Sequence, residues 1–209
     1  MSARDLLHSY LDQCRLVGII RGVTPDQADA IGDAICEGGI RIIEVPLNSP
    51  EPLTSIERLA KRFGERVLVG AGTVLDPADV ARVRDAGGRI IVSPDTHVEV
   101  VAAAAGAGLV SVPGYFTPSE AFAAIRAGAT ALKLFPAEAA SPAVLKAQLA
   151  VIPKDVPVLV VGGAKPDNMQ PWLEAGAAGF GLGGGLYKPG QSPAETLDKA
   201  RAYVAGLRP

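Results

Sequence analysis

The chain has 209 residues, 48% hydrophobic and 20% charged, with 24 glycines and 17 prolines, a composition typical of a folded domain with many short elements and tight turns. Its formal net charge of -2 provides no positive field for phosphate backbones, which argues against nucleic acid as a partner. No apolar run reaches the roughly 18 residues of a membrane span, and the first residues lack the apolar core of a signal peptide, so we expect a cytoplasmic protein without a membrane partner.

Eight runs of aliphatic and β-branched residues recur at intervals of about 20 to 30 residues, and an amphipathic or alanine-rich stretch follows each of them. Continuous apolar runs of this kind are typical of parallel strands buried on both faces. The predicted strands are, in chain order, Leu16–Ile20, Ile40–Val45, Val67–Gly70, Arg89–Val92, Leu109–Val112, Ala131–Phe135, Val156–Val161 and Ala178–Leu182. The opening stretch Arg4–Gln13 predicts one more helix, placed to close the lower end of a barrel.

Start signals for helices stand between the strands, where a side-chain oxygen that can cap a helix precedes a proline. These signals are Thr24-Pro25, Ser49-Pro50, Asp76-Pro77, Thr117-Pro118, Ser141-Pro142 and Ser192-Pro193. Eight strand–helix units close naturally into a (β/α)8 barrel, and we predict one such domain over residues 1–209.

A doubly wound open sheet is the alternative architecture, because it shares the alternation of strands and helices. Its usual Gly-x-Gly-x-x-Gly signature does not follow the first strand, where the chain reads Ile20-Arg21-Gly22-Val23-Thr24. Eight evenly spaced units also favour closure of the sheet. The sequence therefore favours an α/β fold of the barrel type.

Lys133 stands near the end of the sixth apolar run, in Ala131-Leu132-Lys133-Leu134-Phe135-Pro136. Burial of a lone ammonium is costly and favours the neutral amine, which is the form that attacks a ketone. The alternative is a lysine whose methylene stem packs on apolar neighbours while its amine reaches water, and this arrangement is the commoner one. The residues at the other strand ends decide between these two interpretations of Lys133.

In a barrel of this type the chemistry lies at the carboxyl ends of the strands. Arg21 ends the first predicted strand and Glu44 the second, while Thr73 and Pro94 follow the third and fourth. Glu44 alone is explained by an ion pair with a buried arginine. A lysine, a glutamate and an arginine at one barrel mouth are harder to explain by packing, because each buried charge needs a partner or a substrate. They predict a catalytic site.

Two glycine-rich turns follow the seventh and eighth strands, and they contain the predicted phosphate-binding residues Gly162, Gly163, Gly183 and Gly184. Loops at these two places bind phosphate in many barrels through bare backbone N–H groups. One such pair is no more than a tight turn, but two at this location favour a phosphate site. The two histidines lie far apart and outside any cluster of metal ligands, so no metal site is predicted.

Five ordered segments resemble the class I 2-keto-3-deoxy-6-phosphosugar-acid aldolases: Ile43–Val45, Gly70–Val74, Pro113–Glu120, Lys133–Glu138 and Gly162-Gly163. The resemblance covers essentially the whole chain. It implies a (β/α)8 enzyme without metal or cofactor, typically a homotrimer, that cleaves a six-carbon ketoacid phosphate to pyruvate and glyceraldehyde 3-phosphate. Lys133 then matches the Schiff-base lysine and Glu44 the general acid/base.

The resemblance also implies binding roles. Arg21, Thr73, Pro94 and Phe135 are assigned to the pyruvate and carboxylate part of the substrate. The segment that contains Asn48, together with Val161, resembles the galactonate branch of the family and is assigned to selectivity; gluconate enzymes tend to carry a threonine in place of the valine. The glycines after the eighth strand replace a serine that the family often has, so that turn offers only backbone.

Two alternatives remain open from the sequence. The first is an aldolase for the gluconate epimer, or for both epimers. The second is a phosphosugar-binding barrel without aldolase activity, such as those of tryptophan or thiamine biosynthesis, which share the glycine-rich phosphate turns. A structural or interaction protein is disfavoured, because it gives no reason for three ionisable groups at the strand ends.

Overall fold

Within residues 1–208, which this computed structural model describes, nine parallel strands form one sheet with the order β5-β4-β3-β2-β1-β9-β8-β7-β6. The strands are β1 (Leu16–Ile19), β2 (Ile42–Pro46), β3 (Leu68–Gly72), β4 (Ile90–Val92), β5 (Val110–Val112), β6 (Gly114–Tyr115), β7 (Leu132–Leu134), β8 (Val158–Val161) and β9 (Gly179–Leu182). Every predicted strand is present, shortened or shifted by one or two residues at its ends.

Strands β5 and β6 together take the place of one barrel strand. Pro113 separates them, because proline has no N–H to donate to a neighbouring strand. β5 pairs with β4 and β6 pairs with β7, so the two ends of the sheet meet at this interrupted strand and the barrel closes there. The Pro113 carbonyl accepts a hydrogen bond from the Lys133 amide at 2.9 Å. The predicted (β/α)8 barrel is confirmed and the open-sheet alternative is wrong, although the sequence did not indicate the separate β6 segment.

The helices of the described residues surround or close the barrel. They are α1 (Ala3–Leu11), α2 (Pro25–Glu37), α3 (Pro52–Phe63), α4 (Pro77–Asp85), α5 (Val98–Gly106), α6 (Pro118–Arg126), α7 (Pro142–Leu149), α8 (Gln170–Glu174) and α9 (Pro193–Ala205). None of those found in residues 1–208 has the length and hydropathy needed to cross a membrane. The proposed domain spans residues 1–209, of which Pro209 lies outside the described part.

Two apolar cores hold these layers together. The larger one lies between the outer faces of the strands and the surrounding helices. The smaller one fills the lower barrel interior, where Leu7, Tyr10 and Leu11 of α1 pack on Val17 and Ile42. Helix α1 therefore closes the barrel from below, as the sequence predicted, and the open end of the barrel is the carboxyl end of the strands.

Side-chain caps begin several helices where they were predicted. Thr117 accepts a hydrogen bond from the Glu120 amide in a reciprocal capping box, and Ser192 accepts one from Glu195. The prediction for Ser49 is wrong, because α3 begins at Pro52. The Ser49 hydroxyl instead accepts a hydrogen bond from the Gly22 amide at 2.9 Å, so it joins the loop after β2 to the loop after β1.

Candidate active site

Lys133 is the middle residue of β7, within the predicted strand Ala131–Phe135 and near the carboxyl end of the barrel. Side chains alternate along a strand, so Leu132 and Leu134 pack outward while Lys133 faces the barrel interior. Its side chain is 6% exposed, and Nζ lies 4.7 Å from the centre of the Phe135 ring. The amine is therefore almost removed from bulk water yet borders a cavity.

Glu44 is the third residue of β2 and is 2% exposed. Among the described residues, its Oε2 atom has no hydrogen-bond partner. A Cβ atom at Gly72, on the neighbouring β3, would overlap the Glu44 carboxylate, so a side chain at that position would displace the carboxylate. Glu44 and Lys133 both line a small apolar cavity in the barrel interior, together with Ile90 and Leu159 of the lower core.

The charges of Glu44 and Lys133 are strongly perturbed. Burial raises the pKa of Glu44 to about 7, although the cations of Lys133 and Arg21 oppose this change. Burial also lowers the pKa of Lys133; Glu44 opposes that shift and Arg21 adds to it. Both shifts favour the neutral forms. Near neutral pH the site thus contains a carboxyl group that can give or take a proton and an amine that is easily deprotonated.

Arg21 and Thr73 meet at the barrel mouth. Arg21 Nη1 donates hydrogen bonds to Asn48 Oδ1 at 2.5 Å and to Thr73 Oγ1 at 3.3 Å. Thr73 has a φ of 55°, a left-handed conformation that is costly for a β-branched residue. Strain of this kind is concentrated at functional sites, where the surrounding structure enforces it. Here it accompanies a threonine that faces both the cavity and an arginine.

A cavity of about 540 Å³ lies at the carboxyl ends of the strands. Ten of the predicted site residues line it: Arg21, Thr73, Pro94, Lys133, Phe135, Val161, Gly162, Gly163, Gly183 and Gly184. Glu44 faces the adjoining inner cavity. Asn48 is placed differently, since it contacts the Arg21 guanidinium but is not part of the cavity lining.

The two glycine-rich turns form one wall of the cavity. Gly162 and Gly163 have φ values of 113° and 67°, conformations that glycine adopts without strain. A Cβ atom at Gly162 would also overlap the Glu138 carboxylate. Asn168 fixes this turn, because its Nδ2 donates to the Gly163 carbonyl at 2.9 Å and its Oδ1 accepts from the Lys165 amide at 2.8 Å. The turn is thereby held open toward the cavity.

Comparison with known proteins identifies the family. Residues 7–200 match the family model for KDPG and KHG aldolases. The chain belongs to this aldolase family. It is an enzyme of the lyase class.

Among the relatives of this aldolase, the 2-dehydro-3-deoxy-6-phosphogalactonate aldolase of Escherichia coli strain K12 is 45% identical over 193 residues, which cover 92% of this chain and 94% of that protein. A 2-dehydro-3-deoxy-phosphogluconate aldolase of Pseudomonas aeruginosa is 35% identical over 164 residues, which cover 77% of this chain and 74% of that protein. A solved structure described as native KDPGal superposes with a TM-score of 0.91 at 44% identity, and the match covers 92% of this chain and 94% of the other.

The cavity of the aldolase also contains residues that the sequence analysis missed. Lys165 and Lys188 line the cavity beside the glycine-rich turns, and within residues 1–208 neither forms an ion pair. Tyr203, from helix α9, lines the same wall and donates a hydrogen bond to the Ala164 carbonyl at 2.9 Å. The two lysines lie only two and four residues beyond predicted phosphate glycines, Gly163 and Gly184, and that proximity was the available signal.

No group of three or more histidine, cysteine, aspartate or glutamate side chains that could hold a metal ion occurs in the described part of the aldolase. The prediction that the enzyme works without a metal remains a prediction. Its physical basis is the buried amine, which can itself supply an electron-withdrawing iminium.

Proposed function

We propose that this aldolase cleaves 2-dehydro-3-deoxy-6-phosphogalactonate to pyruvate and D-glyceraldehyde 3-phosphate through a Schiff base on Lys133. The observation that carries the proposal is a buried amine and a buried carboxyl group that line one cavity, beside an arginine and two glycine-rich turns. The choice of the galactonate epimer rests on the greater identity to the relative named for that substrate, 45% against 35% for the gluconate aldolase.

In the proposed mechanism the neutral Lys133 amine attacks the C2 ketone of the substrate. Loss of water from the carbinolamine gives an iminium, which withdraws electrons from the C3–C4 bond. Glu44 accepts the C4 hydroxyl proton, directly or through a water molecule, as that bond breaks and the aldehyde forms. The enamine left on Lys133 is protonated at C3, and hydrolysis of the resulting iminium releases pyruvate and regenerates the amine.

The proposed binding roles follow from the cavity lining. Arg21 and Thr73 hold the carboxylate of the ketoacid, because a guanidinium presents a planar pair of donors that fits two oxygens. Pro94 and Phe135 enclose the pyruvate part. Backbone N–H groups of the two glycine-rich turns receive the phosphate.

The direct test measures pyruvate release from both phosphorylated ketoacids, together with borohydride reduction in the presence of pyruvate. We expect faster cleavage of the galactonate epimer and a covalent pyruvate adduct on Lys133, located by peptide mass spectrometry. Absence of the adduct would overturn the Schiff-base mechanism. Preference for the gluconate epimer would overturn the substrate assignment while leaving the mechanism intact.

We also propose that the aldolase functions in the cytoplasm as a homotrimer. Leu75, Val98 and Phe116 are each more than a third exposed; Leu75 lies after β3, Phe116 after β6, and Val98 is the first residue of α5, at the same end of the barrel as the cavity. These side chains are the ones that we expect the subunit contact to cover, since apolar patches that form between chains mark protein interfaces. Light scattering tests the assembly, since a trimer has three times the chain mass of 21.4 kDa.

Val161 is the residue through which we expect the epimers to be distinguished. It is 8% exposed and lines the cavity immediately before Gly162. Val161→Thr adds one hydroxyl at nearly constant volume, and a hydrogen bond is worth about 0.5 to 1.5 kcal/mol net, or roughly a several-fold change in kcat/KM. We expect the ratio of kcat/KM values to shift toward the gluconate epimer.

Val161→Ala is the control for this prediction, because it changes the shape of the site without adding a hydroxyl. Both variants are assayed on both epimers. An unchanged ratio in Val161→Thr, or the same shift in Val161→Ala, shows that a hydrogen bond at this position does not select the epimer.

Lys188 is expected to contribute to phosphate affinity. Lys188→Gln removes a cation from the cavity wall and should raise KM for the phosphorylated ketoacid roughly several-fold, with a smaller effect at high salt. Pyruvate binding should not change, since pyruvate carries no phosphate. Lys154→Gln, an exposed lysine outside the cavity lining, is the matched control. Equal KM values for Lys188→Gln and Lys154→Gln would show that Lys188 does not contribute to phosphate binding.

A further inference from the structure

The loop after β2 carries Asn48, which the sequence analysis assigned to substrate selectivity. We infer that Asn48 is a positioning residue that orients the Arg21 guanidinium for the carboxylate common to every pyruvate-forming substrate, and that it does not contact the sugar at C4. The inference deepens the proposed function and rests on it, since it requires that Arg21 binds the ketoacid carboxylate.

The position of Asn48 relative to the cavity is the first observation. Arg21 and Thr73 line the cavity, whereas Asn48, an exposed residue of the neighbouring loop, does not. Its Oδ1 atom accepts a hydrogen bond from Arg21 Nη1 at 2.5 Å. The contact that joins Asn48 to the site is thus the one with the Arg21 guanidinium, which itself lines the cavity.

The second observation is which nitrogen of the guanidinium is used. Nη1 donates both to Asn48 and, at 3.3 Å, to Thr73 Oγ1. Within the described residues, Nε and Nη2 of Arg21 make no hydrogen bond. The Nε and Nη2 donors form one edge of the planar group, and such an edge matches the two oxygens of a carboxylate. Asn48 and Thr73 thus bind one corner of the guanidinium and leave a bidentate edge free.

The third observation is that the loop bearing Asn48 is itself fixed on both sides. Ser49 Oγ accepts from the Gly22 amide at 2.9 Å, which joins this loop to the turn that carries Arg21. The Leu47 amide donates to the Gly72 carbonyl at 2.8 Å, which joins it to the end of β3. Asn48 therefore lies on a loop that hydrogen bonds fix to the segments following β1 and to the end of β3. A flexible arginine held from such a support loses less freedom when the substrate binds.

Pyruvate separates the two possible roles of Asn48, because it has the carboxylate but no C4. The rate of borohydride inactivation is measured against pyruvate concentration, which gives the half-saturating concentration for imine formation. We expect Asn48→Leu to raise that concentration roughly 3- to 10-fold, the range that one hydrogen bond typically represents. The ratio of kcat/KM values for the two phosphorylated epimers should stay that of the parent.

A double-substitution cycle shows whether Asn48 acts through Arg21. Arg21→Met removes the guanidinium, so adding Asn48→Leu to Arg21→Met should cause no further change in pyruvate half-saturation. Gln13→Leu is the control, because it removes a side-chain amide whose only hydrogen-bond partner among residues 1–208 is the Ser9 carbonyl, near the closed end of the barrel, and should leave pyruvate half-saturation unchanged. Circular dichroism establishes that each variant is folded.

The outcomes are distinguishable. If Asn48→Leu shifts the epimer ratio and leaves pyruvate half-saturation unchanged, Asn48 reads the sugar and the inference is wrong. Multiplicative effects of Asn48→Leu and Arg21→Met also overturn it. If the parent enzyme forms no pyruvate adduct on Lys133, the proposed function fails, and the inference fails with it.

Discussion

Lys133→Met is expected to lower the rate of cleavage by several orders of magnitude while the protein remains folded. Methionine keeps most of the volume of the lysine stem but has no amine, so neither the carbinolamine nor the iminium can form. Lys133 is 6% exposed, and methionine at this position is uncharged. The substitution therefore introduces no unpaired buried charge at position 133. The measurement is pyruvate release under saturating substrate, compared with the parent.

The consequences for Glu44 support the expectation of a stable fold. Without the Lys133 cation, the pKa of Glu44 rises further, and the carboxyl group becomes protonated at neutral pH instead of remaining a lone buried anion. Lys154→Met, outside the cavity, is the control and should retain parent activity. Retention of even a tenth of the parent rate by folded Lys133→Met would contradict the proposed nucleophile.

Glu44→Gln is expected to give a slow enzyme that still forms the imine. The amide keeps the shape of the carboxyl group at a position that is 2% exposed, but it cannot accept a proton. General acid–base catalysis typically contributes about 10² to 10⁴-fold, and kcat should fall by that factor. Borohydride trapping of pyruvate on Lys133 should persist. Cleavage at the parent rate would make Glu44 a structural residue.

The pH dependence of Glu44→Gln provides an independent check. Burial raises the pKa of Glu44 to about 7, so the parent loses its general base, and its activity, as the pH falls through that value. This acidic limb should be absent in Glu44→Gln. Because the folded pKa lies above the unfolded one, ionisation of Glu44 costs the folded state stability as pH rises. Glu44→Gln should therefore raise Tm more at pH 8 than at pH 4.

The apolar periodicity of the chain was sufficient to predict the barrel. Each strand needs a run of about five residues that are buried on both faces, and each crossover needs a capped helix, so both signals are local. The same local signals predicted that Lys133, Glu44 and Arg21 lie at one barrel mouth, because the carboxyl ends of all strands in a closed parallel sheet meet there, and the three residues do line adjoining cavities. The break at Pro113 was not anticipated, since its two halves pair with different strands.

The hydrogen-bond partners of Ser49 and Asn48 could not be predicted, because they depend on contacts between loops that are separated in the chain. Ser49 reads as a helix cap, yet its hydroxyl binds the Gly22 amide. Asn48 reads as a specificity residue, yet its oxygen binds Arg21. In both cases the local sequence permits several partners, and only the distance between neighbouring loops selects one.

The sequence by itself therefore determined the fold class and the places of Lys133, Glu44 and the two glycine-rich turns at the strand ends, because each depends on residue type and spacing within its own strand–helix unit. Only the tertiary structure decided which side chains support them. Gly72 leaves the space that the Glu44 carboxylate occupies beside the adjacent strand, and Lys188 and Tyr203 line the cavity from the loop after β9 and from α9. Those contacts depend on closure of the barrel, which brings residues distant in sequence to within a few ångströms and fixes their charges and hydrogen bonds around one cavity.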